Sequence, residues 1–532
     1  MSGILIAVTS PFELIQDFLD KNNNLKGYDI LVSSENKSIV ESLDYKNLFV
    51  YKDNKLSPFD FSLIFSIRKR RYDKIYFFYA NGNGRYYENV ELFLMLCGAG
   101  EVVGVFPKGG NNKLNYNDFL RCVFVYLMKS VDIVFALFFC IVFLVFAFVF
   151  NLFSRYFVLK NKIVFVGSGN KYSASFRVRC RDFANCFRKK GFSTYIFNNY
   201  KIDKNIRQAK NPLFYFLPDF FRVVYVFVGF LKIALGRYEI VYCQKVSYHA
   251  LSGYLASLYS KKIFVLDYDD YDFANFPELF ENLSRFDLFR LKGITYFLMK
   301  RCDLFVAASR RIEELFGKMA KKCVYVPTVP ELERYRCKSW DGENGKVIIS
   351  WIGTVYKKNV FWLYDLLELY RGIENDFKKQ GKDLVLEIAG GGDFYESVRK
   401  YAEKSGIENV IFKGWVENRD IPKYLLNVDI GVVHYSDNTE YERCKSPTKL
   451  FEYMACCIPC VVSSVGEAKF VVEDGKDGFL AVSNEEFLEK LKRLAFDFEL
   501  RKYMGKNARK KIENHYNFNG FLDKLIKEIE YA

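Results

Sequence analysis

The chain has 532 residues, half of them hydrophobic, with 54 Phe, 38 Tyr and a formal net charge of +15. One core cannot serve that length, so three folded units are expected. The positive balance admits nucleic acid, anionic lipid or phosphorylated substrates as partners, but no RRM-like, zinc-finger or helix-turn-helix signature is present and nucleic acid is set aside. The thirteen Cys show no pair of C-x-x-C spacings, Cys457–Cys460 standing alone, and no close His cluster, which argues against a disulfide framework or a zinc site and for a reducing compartment.

Residues 1–112 alternate short apolar runs with polar helical stretches. Ile4–Val8, Ile30–Val32, Leu48–Tyr51, Ile75–Tyr79 and Val102–Phe106 are predicted strands of a small α/β unit. The N-terminus lacks a basic n-region and a cleavage site and reads as a first strand. The loop Asn81–Arg85 sits where open sheets bind ligands, yet no second phosphate-binding feature accompanies it, and it reads as a turn.

Ile133–Phe150 is an unbroken run of eighteen apolar residues. As a helix it spans about 27 Å, close to a hydrocarbon core of about 30 Å, and it has no polar face to turn outward from a protein core. A membrane segment over 113–160 is therefore expected. Lys113, Arg121 and Lys129 flank one end and Arg155, Lys160 and Lys162 the other, so the positive-inside rule is tied. A re-entrant or interfacial arrangement, with the shorter run Phe119–Met128 set off by Lys129 and Ser130, and a single crossing both stay open.

A second α/β unit, 161–335, begins with a strand at Ile163–Val166, then Gly167, Ser168 and Gly169, then a helix that closes near Gly191. The apolar stretch Phe214–Leu235 is read as lying on the membrane surface or in the core. Ile240–Tyr242, Ile263–Leu266, Leu304–Ala308 and Val324–Val326 are its further strands, and Ser309 is a helix cap. Pro330–Gly345 reads as a charged linker.

The third unit, 336–515, opens with a strand at Val347–Ile352, followed by Gly353, Thr354, Lys357 and Lys358. Leu384–Ala389 runs into Gly390–Gly392, Val410–Lys413 into Gly414 and Trp415, and Asp429–Val433 completes the sheet before Cys444–Ser464. In that last stretch Ser446 is a plausible N-cap, Pro447 presets the first helical turn, Leu450, Phe451, Met454 and Ala455 mark the buried face, and Pro459 stops the helix. A helix N-terminus with Lys445, Lys449 and Glu452 suits a nucleotide sugar, the cations for diphosphate oxygens and the carboxylate for ribose hydroxyls; an amphipathic helix with a surface ion pair fits the spacing as well. Residues 516–532 form a final amphipathic helix.

Lys445, Ser446, Pro447, Lys449, Glu452, Tyr453, Met454 and Ala455 resemble the donor-site helix of family 4 glycosyltransferases of the GT-B fold, in the K-S-P-x-K-x-x-E-Y-M-A variant. The resemblance covers residues 162–532, with an extra N-terminal Rossmann-like domain and a membrane segment ahead of it. It implies an α/β protein with two Rossmann-like domains facing a cleft, preceded by a third small α/β domain. It also implies a membrane-associated enzyme that moves a sugar from a nucleotide-sugar donor to a lipid-linked or polysaccharide acceptor. Configuration is retained, and neither metal nor cofactor is needed. Lys358, Lys449 and Glu452 are the catalytic candidates; Gly353, Thr354, Lys357, Gly391, Gly414, Trp415, Lys445, Ser446 and Pro447 are the donor-binding ones. By the same resemblance Gly169, Ser175, Arg177, Arg179 and Asp269 line the acceptor side, with Arg177 and Arg179 equally readable as solvated helix charges; His249, close after a strand, is a further cleft candidate, though a lone His is more often structural. Asp267–Asp270 is read as an acceptor-domain turn rather than as a metal motif. Many members of the family place a first Glu eight residues before the second; here that position is Cys444, with Glu440 and Glu442 nearby. The charge and cysteine patterns suit a cell-membrane location with the catalytic units on the cytoplasmic side. A catalytically silent sugar-nucleotide scaffold and a membrane-anchored assembly protein for surface polysaccharide are the alternative readings.

Overall fold

The computed structural model describes the chain except for residues 1–2, 10–11, 23–24, 26, 42, 52–55, 80–86, 108–109, 168–173, 199–215, 272, 274–284, 343–344, 357–358, 380–382 and 437. Three six-stranded sheets follow one another in sequence, as the alternation of apolar runs and helical stretches predicts. The chain divides into two compact units, residues 1–140 with 209–221 and residues 141–208 with 222–532.

The first unit carries β1 (Ile4–Ala7), β2 (Asp29–Ser33), β3 (Leu48–Tyr51), β4 (Lys74–Phe78), β5 (Glu101–Val105) and β6 (Asn111–Lys113), in the order β3-β2-β1-β4-β5-β6. Five strands run parallel, and apolar clusters cover both faces, as a parallel sheet requires. β6, too short and polar to be expected from sequence, closes the edge antiparallel to β5.

From the end of this sheet a single helix runs over Tyr116–Ser154. Lys129 and Ser130 lie inside it, so the two apolar runs are one continuous element and no re-entrant break separates them. At its start Glu91, buried on the helix Glu88–Leu96, accepts hydrogen bonds from Tyr79 and Arg121. Farther along, Asp132 accepts the backbone N–H groups of Asp219 and Phe220, both at 2.9 Å, and so caps the helix Pro218–Leu235.

The second unit holds two sheets. β7 (Leu159–Val166), β8 (Ser193–Phe197), β9 (Tyr238–Gln244), β10 (Ile263–Tyr268), β11 (Leu304–Ala307) and β12 (Cys323–Tyr325) order as β12-β11-β10-β9-β7-β8. β13 (Lys346–Thr354), β14 (Asp383–Gly391), β15 (Val410–Gly414), β16 (Ile430–Val433), β17 (Cys460–Ser463) and β18 (Phe479–Ala481) order as β15-β14-β13-β16-β17-β18. All pairings in both are parallel. The strand order reverses between β7 and β9 in one and between β13 and β16 in the other, which opens a crevice beyond the strand ends at each place. The C-terminal helix Phe518–Glu530 returns to the second sheet, with Phe518 against Phe183 and ion pairs Lys190–Asp523 and Lys322–Glu528.

The cysteine expectation needs correction at one place. Cys337 and Cys457 form a disulfide, Cα to Cα 4.9 Å, between the linker and the end of the helix Thr448–Ala455. The partners are 120 residues apart, so no local spacing announces them. The other eleven are free.

Candidate active site

β13 carries the centre of the crevice at the end of the third sheet. Its nine residues end in Gly353 and Thr354, paired in register with Gly390 and Gly391 of β14. Gly353 has φ +152°, and a Cβ on Gly390 would fall within the radius of the Gly353 carbonyl oxygen, so the two strand ends approach as only glycine permits. Trp415, half exposed after Gly414, stands within 3.5 Å of where a Gly391 Cβ would project. These residues therefore share one end of the sheet, with a flat apolar ring at its side. Lys357 and Lys358, expected here, lie outside the described residues.

The helix Thr448–Ala455 delivers Lys449 to the same end. Its ammonium lies 3.8 Å from the centroid of the Trp351 ring and next to Gly353. Burial and then the neighbouring Lys445 push its pKa down from 10.5 to about 7, while Glu452 pulls the other way. Lys445 itself stands over Tyr441, Trp362 and Tyr435, at 4.1, 4.7 and 5.7 Å from the ring centroids.

The helix starts one residue later than predicted. Pro447 is its N-cap and makes no side-chain cap bond; Ser446 is not the cap, because its hydroxyl accepts the Thr328 backbone N–H at 2.9 Å from the other half of the unit.

Glu452 is buried, and its Oε1 accepts the Tyr335 hydroxyl proton at 2.9 Å. Burial raises its pKa; Tyr335, Arg177, Arg334 and Lys449 act against that. Arg177, Arg334, Tyr335, Thr448 and Glu452 line one small, partly open pocket. Arg177 brings a buried Nε without a hydrogen-bond partner, and burial lowers its pKa. Tyr335 and Arg334 were missed in the sequence because they belong to the charged stretch read as a linker. The density of aromatic and cationic residues within that stretch was the available signal, and Arg334, Tyr335 and Lys338 each make a long-range bond.

Of the residues expected on the acceptor side, the structure brings together Ser175 and Asp269, which are hydrogen-bonded. Gln244, at the end of β9, bonds to both, and Lys245 lies 3.6 Å from Asp269 and 3.5 Å from Asp270. Gln244 and Lys245 were also missed, since a lone Gln-Lys after a strand carries no motif. His249 is buried with Nε2 2.8 Å from the Gln244 carbonyl oxygen, which suits the structural reading. Gly169 lies outside the described residues.

Arg179 is a correction. The helix over 174–189 winds with i→i+5 bonds at Arg177–Asp182, and Arg179 is fully buried in a forked ion pair with Asp267 that also reaches the Val326 carbonyl. It holds the sheet together and does not reach the cleft. Asp267, whose other partner is Tyr242, is likewise committed. Among the described residues no group of three His, Cys, Asp or Glu could hold a metal ion.

Neither carboxylate near Cys444 is free. Glu440 pairs with Arg311 at 2.8 Å and with Arg443, and Glu442, buried, closes a capping box with Thr439 on the helix Glu440–Arg443. Cys444 is fully buried, its thiol pushed up to about 12 by burial.

Residues 338–511 match the family model of glycosyl transferases group 1. No curated protein matches the chain in sequence. Among solved structures it is similar to HepE of Anabaena in complex with UDP and glucose, with 15% identity, 70% of this chain and 100% of that one covered, and a TM-score of 0.50. It is similar to sucrose-phosphate synthase of Thermosynechococcus elongatus, with 14% identity, 69% and 97% covered and 0.52. A glycosyltransferase of Rickettsia africae gives 14% identity, 70% and 98% covered and 0.50. The fold is thus that of these solved structures, the GT-B arrangement expected from the sequence, and the stretch 338–511 within it is similar to glycosyl transferases group 1.

Proposed function

We propose that this chain, with its glycosyltransferase domain over 338–511, moves a sugar from a nucleotide-sugar donor to a lipid-linked or polysaccharide acceptor at a membrane, on the cytoplasmic side and with retention of configuration. The observation that carries the donor reading is the Lys449 ammonium held beside Gly353 at the reversal point of the third sheet. There the donor diphosphate meets a fixed cation, glycine backbone and the start of the helix Thr448–Ala455, which together stabilise the charge that develops as the phosphate oxygen leaves. Gly391, Gly414 and Trp415 supply the base platform, and Glu452 accepts ribose hydroxyls by exchanging its bond to Tyr335. Ser175, Asp269 and Gln244 face the acceptor. The HepE structure holds UDP and glucose, which makes a uridine diphosphate sugar the first donor to test.

A thermal-shift screen over UDP-, GDP- and dTDP-sugars identifies the donor. Glu452→Gln should then weaken its binding about ten- to a hundredfold, the equivalent of a charged hydrogen bond of about 1.5–3 kcal/mol. Native affinity in the folded variant sinks the assignment.

The burial of Cys444 and the commitment of Glu440 and Glu442 favour a second reading, a donor-binding scaffold without turnover. Measurable hydrolysis or transfer from the bound donor rules it out. The membrane reading rests on the apolarity of the helix Tyr116–Ser154, of which 17% is buried over its most apolar window; the cytoplasmic placement rests on the tied flanking charges and the eleven free cysteines.

A further inference from the structure

We infer that the helix Tyr116–Ser154 does not cross the bilayer but lies along one leaflet, entering lipid by one side only. This rests on the membrane reading above and adds to it how the contact is made. Within the apolar run and its two ends, Asp132, Ala136, Phe143, Ala147 and Asn151 are buried. Their spacing of four, seven, four and four places them on an arc of about 100°. Val134, Leu137, Phe138, Ile141, Val145 and Val149, on the opposite arc, are 47–68% exposed.

What covers the buried arc is part of a folded domain. Phe143 packs on Phe227 and Phe230 at 5.1 and 5.4 Å, and Phe150 on Phe230 at 6.0 Å. Those partners belong to the helix Pro218–Leu235, whose Phe230, Ile233 and Ala234 are buried and whose Gly229 abuts Ser252. Asn151 donates to the Leu255 carbonyl at 2.7 Å, which ties the end of the run to the helix Tyr248–Ser257 beside β9 and β10. Carrying Phe143–Asn151 across the hydrocarbon would carry this α/β layer with it, and strand ends and loops are not tolerated there.

The polar side chains at the two ends of the run, Asp132 and Asn151, both turn to protein partners, so the bare arc is wholly apolar. At its far end Phe153, Tyr156, Phe157 and Leu235 are exposed, and the Arg237 guanidinium bonds the Phe157 carbonyl. Exposed aromatics with a cation suit the headgroup boundary. The occupant is one leaflet of a phospholipid bilayer.

The test uses the full chain with vesicles of phosphatidylethanolamine and phosphatidylglycerol whose acyl chains are brominated at carbons 6,7 or 11,12. Phe138→Trp, Ile141→Trp, Val145→Trp and Val149→Trp each add a fluorophore on the bare arc, read as the increment in quenching over the unsubstituted protein. The in-plane helix gives one bromine preference at all four positions, while Phe143→Trp on the covered arc gains no quenching. Val145→Lys lowers vesicle binding about tenfold or more. A preference that swings along the helix, as about 16 Å of depth change between 138 and 149 would cause, overturns the in-plane proposal and leaves the membrane reading intact. Failure of the unsubstituted chain to float with vesicles overturns both; a dimer in sedimentation velocity would then assign the bare arc to a second copy.

Discussion

Lys449 holds its ammonium half-buried over an indole ring, where little water remains to solvate the charge. Its pKa of about 7 follows from that burial and from Lys445. Because the folded value lies below the ordinary 10.5, this group contributes stability above the ordinary value and loses it as pH falls through about 7. A bound diphosphate reverses the preference by favouring the charged form. Donor affinity should therefore fall between pH 7 and 9, by at most about tenfold per unit, as the free site gives up its proton. Titration calorimetry at several pH values checks this. Lys449→Arg, which stays charged, should flatten the profile; a slope unchanged in that variant means that another group supplies it. Arg179 shows the opposite outcome for a cation on a helix. Its fork is matched by Asp267 on both sides, and a pair so enclosed serves packing rather than ligand exchange.

At the scale of elements, the proposed donor site depends on how closely two strand ends approach. Gly390→Ala would place a methyl group against the Gly353 carbonyl and should force β13 and β14 apart at Thr354. We expect a loss of donor binding of about tenfold or more, because displacing binding groups by an ångström removes most of their alignment. Circular dichroism and a thermal shift with donor separate this from unfolding. The short helix Glu440–Arg443 is set in the same neighbourhood by its capping box. Thr439→Ala removes the cap's hydroxyl and should cost about 0.5–2 kcal/mol in denaturant unfolding. The helix Thr448–Ala455 was legible from Pro447, its apolar face and Pro459. Its true first residue was not, since Ser446 answers to a backbone N–H of Thr328, 118 residues away. β6, β8 and β18 escaped sequence reading for a related reason: they are edge strands, and pairing with a single neighbour does not demand the apolar runs that mark central strands.

Across the two sheets of the second unit, Glu467 makes a multiple link. It is buried and accepts the Arg310 backbone N–H at 2.7 Å, the Arg310 guanidinium and the Tyr325 hydroxyl at 2.6 Å. Ser309 donates to the Cys444 carbonyl at 2.7 Å beside it. Glu467→Ala leaves these donors unmatched and should cost about 1–3 kcal/mol, with a larger radius of gyration by X-ray scattering if the two sheets part. Unchanged scattering and stability would show that the link carries no load.

The sequence alone determined the three α/β layers, the positions of nearly all central strands, the long apolar helix and the helix that bears Lys449 and Glu452. These are local periodicities and motifs, and hydrophobic period and helix punctuation act within a few residues. Only the tertiary structure decided which charges face the cleft and which are spent in the core. Arg177 and Arg179 are two residues apart on one helix, and their fates differ because an i→i+5 turn and Asp267, 88 residues away, take the second. The linker's Tyr335 joins Glu452, the disulfide joins Cys337 to Cys457, and one arc of the apolar helix is covered while the other stays bare. Each depends on a partner distant in the chain, and composition and spacing carry no record of which distant groups the fold will bring into contact.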